Sequence, residues 1–287
     1  MLPEFADPLL HAELADAGIH GLKPVAPLCM GTSNQNFLAT SQGESWVLRV
    51  NSRHTTELCP REREVACWRL AAAAGLAPEL RFVSGDYRYY LSRYVHTEPP
   101  WHKRYPNDLK TVRMLHELLT SLQFLPKTAR VITPATQWQH YRDLLAQYAP
   151  TFDAHQREAF NALLAQEDKI EEAIAGLQDS QQLSFCHRDL NPHNLLVHQD
   201  RLVCIDFEYS CVSDRRVDLA TLLACHTLTN DQARRLLQLQ SYGVSARELA
   251  WARQVYWAYA ASWSLIMWHK GVGSPNWIRD ALYQLHA

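Results

Sequence analysis

The segment from His187 to Phe207 constrains this chain more than any other. It reads His187-Arg188-Asp189-Leu190-Asn191-Pro192-His193-Asn194, then Leu195-Leu196-Val197, and later Val203-Cys204-Ile205-Asp206-Phe207. Short apolar runs precede the first polar cluster, separate it from the second and lead into Asp206. The polar residues therefore fall on loops between buried strands. Taken one at a time, Asp189 and Asn194 are ordinary turn residues and Asp206 is an ordinary strand-end cap. Together they supply what phosphoryl transfer requires: a carboxylate beside an attacking hydroxyl, and hard oxygen ligands for magnesium at nucleotide phosphates. Asp189 suits the first task, and Asn194 with Asp206 the second. His187 suits a loop-ordering hydrogen bond better than metal ligation.

The other parts of such a site are found upstream, in order. Gly31-Thr32-Ser33-Asn34-Gln35-Asn36-Phe37 lies between predicted strands at Lys23–Cys29 and Asn36–Thr40. Through Gly31, Thr32, Ser33, Asn34 and Asn36 it can cap phosphates as a shallow nest, and the plain alternative is a polar hairpin turn. The next predicted strand, Ser45–Val50, offers Arg49 as a cation for the phosphates. Pro60 at a first helical position opens a helix through Arg61-Glu62-Arg63-Glu64 to Gly75. Glu64 is the carboxylate expected to pair with Arg49, because Glu62 points to another helix face. The competing reading of that run is a solvated Glu–Arg surface.

A short helix is expected within Asp7–Ile19, and two further strands at Glu79–Ser84 and Tyr87–Val95. His96-Thr97-Glu98-Pro99-Pro100 is the best boundary, since two prolines hold an extended link. Beyond it, Asp108–Leu122, Pro134–Tyr148 and Thr151–Leu177 show helical periodicity. Strand-like pieces at Leu183–Cys186, Leu195–Val197 and Leu202–Ile205 interrupt it, and helices resume from about Arg216. The predicted organisation is a nucleotide-binding lobe over 1–95, a hinge at 96–100, and a helical lobe over 101–287 that carries the catalytic loop and the substrate site. The backbone around Tyr94 and His96 would meet the adenine.

Composition excludes several classes. With a net charge of −2 and 47% apolar residues, the 287-residue chain has material for a core and no broad attraction to nucleic acid or an anionic membrane. The apolar stretch Val255–Trp268 falls short of the roughly 20 residues a bilayer requires. MLPEFADPLL lacks the cationic and apolar regions of a secretory signal. The seven cysteines include no Cys-x-x-Cys, so neither a disulfide framework nor a zinc ribbon is indicated. A cytoplasmic protein is the expectation. No G-x-x-x-x-G-K-[ST] occurs, and fourteen histidines include no H-E-x-x-H.

Over Gly31 to Trp268 the sequence resembles the choline/thiamine kinase branch of the aminoglycoside phosphotransferase superfamily, which shares the protein-kinase-like fold. Ile205-Asp206-Phe207-Glu208-Tyr209-Ser210 is the most specific piece, joined by Asp218 in Arg216-Val217-Asp218-Leu219-Ala220 and by Leu115-His116-Glu117-Leu118. Met30 stands where many relatives carry a second glycine. A protein kinase is not indicated, because G-x-G-x-x-G, D-F-G and A-P-E are missing.

The resemblance implies an α+β, two-lobe fold, with a small antiparallel-sheet N-lobe and a larger helical C-lobe. It also implies ATP and magnesium as cofactors, a small alcohol as acceptor, and a structural role for Asp218. Tyr256, Tyr259, Trp263 and Met267 share one face of a predicted helix, which is either core or a cage for a cation. The resemblance favours the cage, with Glu208 the nearest acid. Only Glu248 and Asp280 are acidic within Ser245–Ala287. Thiamine or choline is therefore ranked ahead of an aminoglycoside or aminosugar. A non-catalytic nucleotide-binding module is the alternative from another class, but it would have no use for Asp189.

Overall fold

Alternation of apolar and polar residues from Gln35 to Val50 builds the centre of an antiparallel sheet. Its strands are β1 (Lys23–Pro27), β2 (Gln35–Ser41), β3 (Glu44–Val50), β4 (Leu80–Val83) and β5 (Tyr89–Arg93), in the order β1-β2-β3-β5-β4. Gln42 and Gly43, both at positive φ, make the two-residue turn between β2 and β3. The computed structural model describes residues 7–28, 34–97, 101, 109–128 and 130–286. Gly31, Thr32 and Ser33, expected at the phosphates, and Pro99 and Pro100 of the expected hinge lie outside the described residues.

Period two sends Trp46, Leu48 and Val50 to one face of the sheet. There they pack with Phe37, Phe82 and Leu91 under Leu10 and Leu14 of α1 (Pro8–Asp16). Arg49 and Tyr90 belong to the other face, which α2 (Arg61–Ala73) covers through Val65, Trp68 and Ala71.

The helical lobe contains α3 (Leu109–Gln123), α4 (Pro134–Tyr148), α5 (Ala154–Leu164), α6 (Glu167–Gly176), α7 (Arg215–Cys225), α8 (Asn230–Gln238), α9 (Ala246–His269) and α10 (Pro275–His286). Helix α9 is its axis. It starts at a Ser245/Glu248 capping box and buries residues on all sides, among them Ala252, Val255, Ala258, Leu265 and Ile266. A helix apolar all round is an interior helix, and α9 packs on α4, α5, α6, α7 and α10. The expected helix Thr151–Leu177 is two helices. A capping box of Asp153 and Gln156 starts α5 at Ala154, and the chain turns at Ala165-Gln166 before α6.

Two small two-stranded sheets lie against these helices. Strand β6 (Leu183–Cys186) pairs with β9 (Cys211–Asp214), and β7 (Leu195–His198) pairs with β8 (Arg201–Cys204). Strand β9 was not legible in the sequence, because all four of its residues are buried and no alternation marks it. The antiparallel-sheet lobe and the larger helical lobe are the α+β architecture expected. No helix among the described residues is long and apolar enough to cross a membrane.

One segment departs from a simple two-lobe division. Between β3 and α2, residues 51–60 leave the sheet and settle on the helical lobe. Leu58 is 4% exposed within the core formed by Trp138, Tyr141 and Leu145. The Glu57 carboxylate accepts from Lys270 Nζ at 2.9 Å and from the Tyr148 hydroxyl. His140 Nε2 donates to the Glu57 carbonyl, and Lys270 Nζ to that of His54.

Candidate active site

Two non-glycine residues with left-handed backbone, Arg188 (φ 68°) and Asp206 (φ 67°), turn the chain just beyond the ends of β6 and β8. Such residues are uncommon and need surrounding bonds to hold them. Asp218, in the first turn of α7, holds the first: its carboxylate accepts the N–H groups of His187 and Arg188, each at 2.7 Å. Burial lifts Asp218 to about 6 despite those bonds. His187 Nε2 lies 3.1 Å from the Ile205 carbonyl. A carbonyl only accepts, so Nε2 carries the proton and Nδ1 accepts the Asp189 N–H at 3.3 Å. Burial keeps this imidazole neutral, lowered to about 4. His187 thereby ties the Asp189 loop to the strand end before Asp206.

Asp189 Oδ1 accepts Asn191 Nδ2 at 2.8 Å, and Oδ2 accepts Asn194 Nδ2 at 2.7 Å. Burial raises the Asp189 carboxyl above its usual range, and these two amides work against the rise. Across the cleft, Arg49 on β3 reaches three carboxylates: Glu64 at 2.8 Å, Asp206 at 3.2 Å and Glu208 at 2.6 Å. The sequence choice of Glu64 over Glu62 matches this pairing, since Glu64 is buried and Glu62 is exposed. The Asp206 side chain keeps 31% exposure. Burial raises Asp206 to about 8 against the pull of Arg49, with Glu208 and Glu64 adding to the rise.

Other residues of the expected site are engaged by partners within the protein. Glu208, assigned to the substrate, is 1% exposed, and its Oε1 accepts from Asn34 Nδ2 (2.7 Å), Arg49 (2.6 Å) and Arg61 (2.7 Å). Burial alone would raise it, but the two guanidinium groups hold it below the usual carboxylate range. It belongs to an ionic cluster between the lobes and is closed to solvent. Asn34, assigned to the phosphates, is committed to Glu208 and to the Ser52 N–H at 3.0 Å. Asn36 stands on β2 opposite Arg49, and its carbonyl accepts the Leu28 N–H. The Tyr94 N–H is taken by the Ser45 carbonyl at 3.1 Å, so it offers no bond to an adenine, and the His96 ring lies 6.4 Å from that of Tyr94. Arg61 was missed. It is 8% exposed and bonded to Glu64 and Glu208, and its i,i+3 spacing from Glu64 was the available signal.

The aromatic face of α9 divides. Tyr259 is core: it is 7% exposed, its hydroxyl donates to the Pro134 carbonyl, and the Arg188 guanidinium lies 5.0 Å from its ring centroid. Met267, at 2%, is core as well. Tyr256 and Trp263 stay half-buried. Tyr256 OH lies 3.0 Å from Cys225 Sγ. Burial first, then Cys225 and Asp189, holds that phenol above its ordinary range. Trp263 Nε1 donates to Tyr209 OH at 2.6 Å, and its ring stacks on Trp277 at 5.8 Å.

Comparison with known proteins adds a lineage to this geometry. The profile of the phosphotransferase enzyme family matches residues 24–254. Protein LicA of Haemophilus influenzae is 29% identical over 218 residues, a match that spans 72% of this chain and 60% of LicA. Among solved structures, choline kinase LicA from Streptococcus pneumoniae superposes with a TM-score of 0.73 at 19% identity, over 98% of this chain and 99% of that one. LicA in complex with AMP gives a TM-score of 0.71 at 19% identity, over 98% of both chains. At these identities the structural likeness is one of fold.

Proposed function

The chain belongs to the phosphotransferase enzyme family, and from that premise we propose that it transfers the terminal phosphoryl group of ATP to the hydroxyl of a small cationic alcohol of the choline type. The observation that carries this reading is Arg49, which joins Glu64 of α2 to Asp206 of the second loop. A strand cation, a helix carboxylate and a loop carboxylate are thereby drawn to the edge of the cleft that Asp189 faces.

Nucleotide would lie between the lobes, its adenine toward His96 and its phosphates toward Arg49. Asp189, fixed by Asn191 and Asn194, would orient the acceptor hydroxyl and take its proton late in the transfer. His187 and Asp218 act through Asp189 by holding its loop. Asp206 and Asn194 fit magnesium by chemistry. One is a part-exposed carboxylate; the other commits its amide nitrogen to Asp189, which leaves the carbonyl oxygen as donor. Bound there, the metal would neutralise phosphate charge. Acceleration would come chiefly from positioning and fixed charge.

Acid scarcity and aromatic surface support a singly charged acceptor. Glu248 is engaged by Arg216 and Ser245, and Asp280 is exposed beside Arg279. Neither is placed to receive the several ammonium groups of an aminoglycoside. Aromatic faces attract one weakly hydrated cation by roughly 0.5–2 kcal/mol each. The test is a coupled kinase assay over choline, ethanolamine, thiamine and kanamycin, with Asp206→Asn as control. Turnover of choline or thiamine that Asp206→Asn abolishes without unfolding is expected. ATP binding without turnover of any acceptor would leave a nucleotide-binding module, and turnover of kanamycin alone would reverse the substrate.

A further inference from the structure

Arg49 carries Glu64, Asp206 and Glu208 at once. A guanidinium so engaged can turn toward phosphates only if another cation keeps the buried carboxylates neutralised, because an unpaired buried charge is costly. Among the described residues, Arg61 is placed to do this. Its Nη1 donates to Glu64 Oε2 at 2.8 Å and to Glu208 Oε1 at 2.7 Å, so it shares two of the three acids with Arg49. Its Nη2 donates to Thr55 Oγ1 at 2.8 Å and to the Ser52 carbonyl at 3.1 Å. Both of those lie in the segment seated on the helical lobe, and Thr55 is fully buried.

We propose that Arg61 is a positioning residue for nucleotide binding: it retains Glu64 and Glu208 when Arg49 turns to the ATP phosphates, and so sets the position of Arg49. This rests on the phosphotransferase reading of the site. Arg61 acts through Arg49 and touches neither substrate. Arginine is required because one planar fork must serve two carboxylates and the backbone of the segment together, which a single ammonium cannot do.

The test is ATP titration of the full chain by calorimetry, with thermal melting and the choline KM as companion readings. Arg61→Gln is expected to weaken ATP binding about tenfold while the choline KM stays within about twofold. Arg61→Lys should recover part of that loss. Thr55→Val, which keeps every charge but removes the hydroxyl Arg61 bonds to, should weaken ATP by about two- to threefold and decides the matter should Arg61→Gln fail to fold. Glu62→Gln, an exposed change on the same helix turn, should leave ATP affinity unaltered. Variants that melt earlier but bind ATP like the wild type would overturn the proposal, as would ATP affinity and choline KM worsening in step. Wild-type protein that binds no ATP would overturn the underlying reading instead.

Discussion

His226 gives the molecule a titration with a readable sign. Its Nδ1 donates to the Leu222 carbonyl at 3.0 Å, and its Nε2 accepts Trp101 Nε1 at 3.1 Å, an arrangement open only to the neutral ring. Burial lowers it from the ordinary 6.5 to about 4. The unfolded chain therefore takes up its proton first as pH falls, and the stability contributed above about 6.5 is lost progressively down to about 4. Thermal melts from pH 7 to pH 4 should fall more steeply for wild type than for His226→Gln, with the two curves converging at the acid end. On the proposed reading, Trp263 bears on specificity. Trp263→Ala should raise the choline KM by about tenfold and leave the ATP KM within about twofold, whereas equal constants with lowered stability would mark it as packing. The Asp189–Asn194 contact was legible because its spacing is local to one loop, and the Arg49–Glu64 pair because one strand and the helix after it carry them. The place of Glu208 was not. It depends on Asn34 and Arg61, 174 and 147 residues away, and nothing in a linear pattern says which acid a distant guanidinium will claim.

At the scale of elements, a helix was read well where its start is marked, as at Pro134 behind the Thr133 cap of α4. The break between α5 and α6 escaped because apolar periodicity continues across it. What fixes the distance between α6 and α9 is Gly176. A Cβ added there would stand 2.5 Å from Trp251 Cδ2, so the indole of α9 lies directly on the backbone of α6. Gly176→Ala should cost about 1–3 kcal/mol by overpacking, measured by urea unfolding. A change of a few tenths of a kcal/mol or less would show that the indole gives way. Because α9 also carries Tyr256 and Trp263, a partial rotation of this helix should appear in the choline KM before it appears in ATP affinity.

For the whole molecule, ATP should act as a brace across the cleft. Saturation at about a hundred times Kd contributes about 2.7 kcal/mol to stability by mass action, and the melting temperature should rise with ATP concentration. Arg49→Met should abolish that rise, and a shift that survives the substitution would remove Arg49 from the nucleotide site. The geometry of joining matters as much as the contacts. Arg49 stands on β3, the middle strand of the sheet order, and the residues that follow β3 are seated on the helical lobe through Leu58. β1 lies two strands away, at about 10 Å from strand spacing. A rock of the sheet by about 10° about β3 would therefore carry β1 by about 2 Å while Arg49 hardly moved. In such an opening β3 would be the spine of the book and β1 the edge of its cover.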